Sequence, residues 1–454
     1  MVAQTQQQGT DAVRVMLKHC LVAAIAWIGV TAHADARGLI RDSEIERTLN
    51  DMSAPILQAA GLAPTTVDVF IINDNSLNAF VAGGRRMFLH TGLLIDLETP
   101  EELLGVIAHE AGHIAGGHEA RRAINLRNAQ GPALVGLLLG IAAGVAGGGE
   151  AATALAAGSQ GALQRTFLNF NRSEEASADQ AGLTYLRIAK VNPEGLLKVM
   201  ERFRGQEVLS IGNIDPYILT HPLGTERMSL LQRKIEQDRG KAWPEDANRA
   251  YWHGRMRAKL TGFLRSPERV LNDLEGQPDT EETLYARTVA LHRLPAPAEA
   301  LQTVDKLIAK RPNDPFYIEL KGQILHESGR ASEAVPQYRK AVNLAPNEPL
   351  LRAGLGRSLL QLNTPAGNAE ALEVLQAARS KDLADAAALR DLATAYDRAG
   401  DPGMATLATA ERYALIGRTG NAVRLARRAS GLLKKGSPGW LRAQDILKLK
   451  KNSE

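Results

Sequence analysis

The chain has 454 residues, 44% of them apolar and 4% aromatic, with a formal net charge of +4 and a single cysteine, Cys20. That length implies two to four domains, and the near balance of charge argues against a dedicated nucleic-acid binder. Cys20 lies in an apolar N-terminal stretch, so a chain that loses this stretch has no disulfide, no thiolate nucleophile and no cysteine metal ligand.

The first 34 residues read as a secretory signal. Arg14 and Lys18 precede an apolar core at residues 20–31, which is too short to span a membrane as a mature helix. Ala32-His33-Ala34 fits the A-x-A cleavage pattern and places the mature start at Asp35. Residues 42–62 have the spacing of an amphipathic helix ending near Gly61. Residues 67–73 are rich in β-branched side chains and predict a strand, turned by Asn75-Ser76. Residues 78–82 and 86–90 predict two more strands, joined by Gly83-Gly84. This hairpin has two readings: an edge that an extended peptide can join as a strand, or a cover for the helix that follows.

That helix is the centre of the chain. Thr99 is a good N-cap, Pro100 suits the first helical position, and Glu102 completes a capping box. Leu103, Leu104, Ile107, Ala108 and Ala111 form its apolar face, and Gly116-Gly117 stops it. The helix carries His109-Glu110-Ala111-Gly112-His113, so two histidines one turn apart point the same way. Two neutral imidazoles can grip one Zn²⁺, with Glu110 beside them as a general base. His118 invites the longer metzincin pattern HExxHxxGxxH, and Gly116 falls on its glycine. The third histidine of that pattern would be residue 119, which is Glu119. The metzincin reading therefore fails, and His118 reads as a supporting histidine rather than a ligand.

Residues 132–149 are rich in Gly, Ala and Leu and carry no charge, close to the length of a membrane span. Their glycine content favours a buried or membrane-apposed helical hairpin. Residues 171–182 predict a further helix on which Glu175 and Asp179 share a face. A zinc held by HExxH needs a third protein ligand, which a carboxylate from a second helix can supply. Asp179 can then hydrogen-bond a ligand histidine and fix its tautomer. By itself the ExxxD spacing is a common surface pattern.

Taken together, His109–His113, Glu175-Ala-Ser-Ala-Asp179 and Thr220-His-Pro-Leu-Gly-Thr-Glu-Arg227 resemble the gluzincin peptidase family that includes the CAAX prenyl proteases, HtpX and the BepA-type periplasmic proteases. Asn78-Ala-Phe80 and His90-Thr-Gly-Leu-Leu94 are of the same kind. The resemblance implies one Zn²⁺ per chain on His109, His113 and Glu175, with Glu110 as general base and acid. It implies Asp179 as support for a ligand, His221 as a residue that approaches the metal and regulates access, and Arg227 as a neighbour steadying a carboxylate or the reaction's oxyanion.

From about residue 245 the texture changes. Asn313-Asp-Pro-Phe and Asn347-Glu-Pro-Leu are 34 residues apart, the period of tetratricopeptide repeats. Gly322, Ala334, Tyr338, Ala341 and Pro346 sit where small and aromatic residues let paired helices pack. The next unit keeps Leu355, Gly356, Ala371, Leu375 and Ala378 after a three-residue insertion around residues 363–367, and a third runs through Ala393, Tyr396 and Ala405. Ala300 and Pro312 mark a degenerate earlier unit, and helices at residues 251–263 and 422–449 add to the array or cap it. Such repeats hold peptides or partner proteins. The basic end around Lys434, Lys435, Lys448, Lys450 and Lys451 reads as a solvated face.

The expected fold is mostly α: a signal peptide (1–34), a gluzincin-type metallopeptidase domain with a small β-sheet (35–244) and an α-solenoid of tetratricopeptide repeats (245–454). The resemblance implies a periplasmic endopeptidase of a Gram-negative cell acting in outer-membrane protein assembly and quality control, with chaperone-like help. Its implied partners are unfolded or misassembled outer-membrane proteins, the barrel-assembly machinery through the repeats, and a peripheral membrane contact. Two other readings stand beside it: a repeat scaffold with a latent zinc site, and a membrane-embedded protease using residues 132–149.

Overall fold

The computed structural model describes residues 38–121, 161–204, 221, 225–294 and 296–449. The expected signal segment, the uncharged stretch 132–149, residues 222–224 and the last lysines, Lys450 and Lys451, lie outside the described residues. Among the described residues no helix is long and apolar enough to cross a membrane.

The first half builds a small sheet against a bundle of helices. β1 (Leu39–Ile40) leads into α1 (Ser43–Ala59), whose N-cap Asp42 accepts the Glu44 and Ile45 amides. β2 (Asp68–Ile72), β3 (Ala79–Ala82) and β4 (Arg86–His90) follow. The sheet order is β1-β2-β4-β3, with β4 parallel to β2 and antiparallel to β3, so β3 is an edge. The strand boundaries lie within a residue or two of those the β-branched runs predict. α2 (Thr91–Asp96) then delivers the chain to α3 (Pro100–Ala115).

α3 starts as its sequence predicts, with Thr99 Oγ1 accepting the Glu102 amide at 3.3 Å. The capping box closes differently from the expected pattern. Glu102 accepts the Glu98 amide at 2.9 Å, one residue before the cap, and also receives Arg202 Nη2 at 3.0 Å. An arginine 100 residues away competes for this carboxylate, which a local pattern cannot encode. Every residue of α3 from Glu102 to Ile114 is buried, as expected of a helix enclosed on all sides.

α4 (Gly161–Ile188) and α5 (Glu194–Arg202) enclose α3, and α6 (Thr225–Glu236) packs outside them. The α3–α4 crossing is close because its contact residues are small. A Cβ added at Gly112 would lie 2.8 Å from the Ala178 carbonyl oxygen, and one added at Gly182 would lie 3.2 Å from the Ala108 carbonyl carbon. Gly112→Val should push the helices apart. Overpacking costs about 1–3 kcal/mol, more than the few tenths of helix propensity gained over glycine. Thermal unfolding and bound-metal content should fall together, and a variant with unchanged metal content would show the crossing to be slack.

The second half is a run of helical hairpins. It begins with α7 (Ala247–Leu264) and α8 (Pro267–Asp273), then α9 (Glu281–Arg293) with α10 (Pro297–Lys310). α11 (Pro315–Glu327) pairs with α12 (Ala331–Leu344), and α13 (Pro349–Leu362) with α14 (Pro365–Lys381). α15 (Ala386–Arg398) pairs with α16 (Pro402–Leu415), and α17 (Thr419–Leu432) with α18 (Pro438–Lys448). The helix starts at Pro315 and Pro349 carry the 34-residue period. The Tyr338 ring packs where Gly322 and Gly354 leave room, since a Cβ at either would approach it to 3.0 and 2.4 Å. The three inserted residues lengthen α14, which has 17 residues where α12 has 14. Asn363, at φ 52°, takes the left-handed position between α13 and α14 that Gly329 takes one repeat earlier.

α7 joins the halves. Its Met256 and Leu260 belong to the same core as α1 and α3. Its Arg255, 1% exposed, pairs with Glu44 of α1 and with Asp314 at the start of α11, at 2.5 and 2.8 Å from the latter's oxygens. Lys259 reaches Asp42 at 2.7 Å and Glu44 at 3.2 Å. The Arg255 guanidinium also lies 3.8 Å from the Tyr317 ring centroid and 4.8 Å from that of Trp252.

Candidate metal centre

The three donors expected from sequence, His109, His113 and Glu175, come together, and His221, expected to approach the metal, joins them. One ligand atom each from His109, His113, Glu175 and His221 lies within 4.8 Å of all the others, and all four residues are buried. α3 supplies the two histidines on one face and α4 brings Glu175 across the Gly112–Ala178 contact. His109 Nε2 lies 3.1 Å from His113 Nε2, 3.2 Å from His221 Nδ1 and 3.3 Å from Glu175 Oε2. Glu175 Oε1 is 3.3 Å from His113 Nε2, and Glu175 Oε2 is 3.1 Å from His221 Nδ1. Ligands about 2.0 Å from a tetrahedral zinc stand about 3.3 Å from one another. The donor set therefore fits a tetrahedral divalent cation in both chemistry and spacing.

The surrounding groups hold these donors in place. His109 turns its Nδ1 to Asp179 Oδ1 at 2.9 Å. Arg227 grips Asp179 through Nε and, at 2.8 Å, through Nη2, and its Nη1 lies 3.0 Å from Glu175 Oε2. Burial alone would raise both carboxyls. The charges of His221 and Arg227 overcome it at Glu175, which stays well below the usual carboxylate range, and Arg227 with His109 holds Asp179 at about 2. Burial pushes His113 down to about 3, keeping it neutral as a ligand must be. Burial opposes the charge on His109, but Asp179 and Glu175 outweigh it and raise its pKa to about 9. A cluster that attracts a proton this strongly attracts a divalent cation in the proton's place.

Glu110 is fully buried beside the donors, with Oε1 3.3 Å from His221 Nε2. His118 stands behind His113, the two Nδ1 atoms 2.8 Å apart, and is not among the four converging donors. Glu119, in the position that excludes the metzincin pattern, accepts the Gly83 amide at 2.7 Å and the Gly84 amide at 2.5 Å. It thereby fixes the turn between β3 and β4. Two successive glycines offering adjacent amides to an anion were the available signal for this contact. A backbone group also belongs to the site: His221 Nε2 lies 3.2 Å from the Ala79 carbonyl of the edge strand β3. No side-chain pattern marks that oxygen.

A buried acid beside a cation-binding cluster, close to a strand that is an edge among the described residues, is the arrangement of a metalloendopeptidase. Residues 40–235 match the model of Peptidase family M48. The chain is 26% identical over 406 residues to the beta-barrel assembly-enhancing protease of Escherichia coli (strain K12), covering 88% of this chain and 81% of that protein. It is 26% identical to the metalloprotease LoiP of the same organism, over 43% of this chain and 73% of LoiP. It is 27% identical to the mitochondrial metalloendopeptidase OMA1 of Schizosaccharomyces pombe, over 40% of this chain and 49% of that protein.

Proposed function

We propose that this chain is a zinc-dependent endopeptidase of the periplasm that acts in outer-membrane protein assembly and quality control. It degrades misassembled chains and gives chaperone-like help through its repeats. Four buried donors converging at tetrahedral spacing carry the catalytic part of this reading. The long relative named for β-barrel assembly supports the cellular part. Unfolded outer-membrane proteins and the barrel-assembly machinery are the partners, with a peripheral membrane contact.

In this reading His109, His113 and Glu175 would hold a zinc ion, which when bound would supply Lewis acidity to water and to the scissile carbonyl. Glu110 takes the proton of the attacking water and later passes it to the leaving amine. Asp179, gripped by Arg227, accepts the His109 Nδ1 proton and fixes that ring. An extended substrate adds to β3 as a further strand. His221 stands at the fourth donor position and on the Ala79 carbonyl. The chain is therefore a gated enzyme, closed at rest.

His221→Ala should raise casein hydrolysis by about tenfold if about nine molecules in ten are closed. A zinc chelator should abolish the activity and added zinc should restore it. Zinc-loaded wild type and His221→Ala that are both silent would leave the scaffold reading in its place.

A further inference from the structure

The outer face of the sheet carries a row of aromatic rings. β2, β4 and β3 each place one phenylalanine in it, and the register sets Phe70 opposite Phe88 and Phe88 opposite Phe80. Cross-strand partners share one face of a sheet. The Phe70 and Phe88 rings stack at 5.2 Å and 20°, and the Phe88 and Phe80 rings at 5.0 Å and 15°. Their chain neighbours Ile71, Ala79, Met87 and Leu89 point the other way, into the core. All three rings stay partly exposed.

Phe80 ends the row. Among the described residues no strand lies beyond β3, so Phe88 covers one side of the Phe80 ring and the other side turns to the open edge. The ring is held from a second direction as well. The His90 imidazole meets it edge-on with centroids 6.0 Å apart, and Ser76 Oγ lies 2.8 Å from His90 Nδ1. A ring fixed in this way loses little freedom when a further ring stacks on it.

The backbone of β3 sets where a client residue falls. The His90 N–H donates to the Asn78 carbonyl at 2.9 Å, so Asn78 turns its peptide groups towards β4. Successive residues of a strand turn theirs to opposite sides. Ala79 and Val81 therefore face the open edge, in accord with the His221 contact on the Ala79 carbonyl. A strand added antiparallel to β3 bonds to Ala79 and Val81, and its residue between those bonds lies opposite Phe80. Such a pair is the closer of the two kinds in an antiparallel ladder, with Cα atoms about 4.5 Å apart. The client side chain there falls on the outer face, against the open side of the Phe80 ring. It is next in sequence to the residue whose amide replaces His221 on Ala79, so it lies close to the bond presented to the metal donors.

We propose that Phe80 selects clients with an aromatic residue at the position that pairs with it, as a fourth ring in the row Phe70–Phe88–Phe80. The inference rests on the reading in which an extended client adds to β3 at the metal centre. Phe80 touches the client and sets the preference, while Phe88 and His90 position its ring.

The test walks a single Phe through otherwise identical Ala-Thr dodecapeptides and locates the cuts by mass spectrometry. The zinc-loaded chain carries His221→Ala, so that the fourth donor position is open. The cut should move with the Phe and keep a fixed distance from it. Leu in place of that Phe is apolar but cannot stack, and should lower kcat/KM by about fivefold. With Phe80→Leu added, the Phe and Leu peptides should be cut equally, to within about twofold. Phe80→Tyr keeps the ring and should keep the preference. So should Phe70→Leu, whose strand lies two places from β3 and about 10 Å away. Glu110→Gln gives a reading without cutting: anisotropy of the labelled peptides should show the same ratio in Kd and the same loss with Phe80→Leu. Cuts unrelated to the Phe, a preference that survives Phe80→Leu, or an equal loss in Phe70→Leu would overturn the inference and leave the strand-edge reading standing. If no peptide is cut or bound, that reading falls and this inference with it.

Discussion

Glu110→Gln should hold as much metal as the wild-type chain and lose peptide hydrolysis by a factor of about 10²–10⁴. The amide has nearly the shape of the carboxylate, and the side chain is fully buried, so the pocket keeps its packing. It cannot take the proton of the attacking water. His109, His113 and Glu175 are untouched, so the metal content read by atomic absorption should stay at one per chain. Glu175→Gln should behave differently. It removes a donor and the charge that Arg227 faces at 3.0 Å, so metal and activity should fall together. Full casein hydrolysis by Glu110→Gln would remove Glu110 from the chemistry.

Arg255→Ala should be the most destabilising single change at the join between the two halves. Arg255 is 1% exposed and faces carboxylates from both halves, Glu44 and Asp314. Removing one partner of a buried ion pair costs about 3–5 kcal/mol, because the remaining charge stays buried without its counter-ion. Lys259 still reaches Glu44 but makes no contact with Asp314 among the described residues, so Asp314 bears the loss. The packing of the guanidinium on Tyr317 and Trp252 goes with it. Urea unfolding should show an earlier transition in the variant. A midpoint equivalent to less than about 1 kcal/mol of change would mean that water reaches the site and screens it.

Much of this was legible in the sequence because it is local. The Thr99 cap, the one-turn spacing of His109 and His113, the β-branched run before the hairpin and the 34-residue period each rest on neighbours within one element or one repeat. The alternation around Gly83-Gly84 foretold the hairpin, and the structure adds that β3, rather than β2, is the edge. Long-range choices were hidden. Nothing near Glu102 announces that Arg202 shares its carboxylate. Nothing near Glu44 announces Arg255, 211 residues away. Glu175 had the right chemistry, but its distance from the histidines depends on how closely α3 and α4 approach. That approach is set by Gly112 and Ala178, whose smallness is ordinary until the two helices are seen to cross there.

The reach of His221 to the Ala79 carbonyl has a consequence for client choice. If a client enters as the proposed gated reading has it, it would offer that oxygen an amide hydrogen of its own. A well-folded protein has its amides already engaged and gains nothing by the exchange. A loosened stretch of chain has amides to spare, so the swap is nearly neutral in hydrogen bonds and the imidazole is freed to swing away. On the proposed function, discrimination between sound and damaged proteins would thus begin with who can trade a hydrogen bond, before any side chain is inspected.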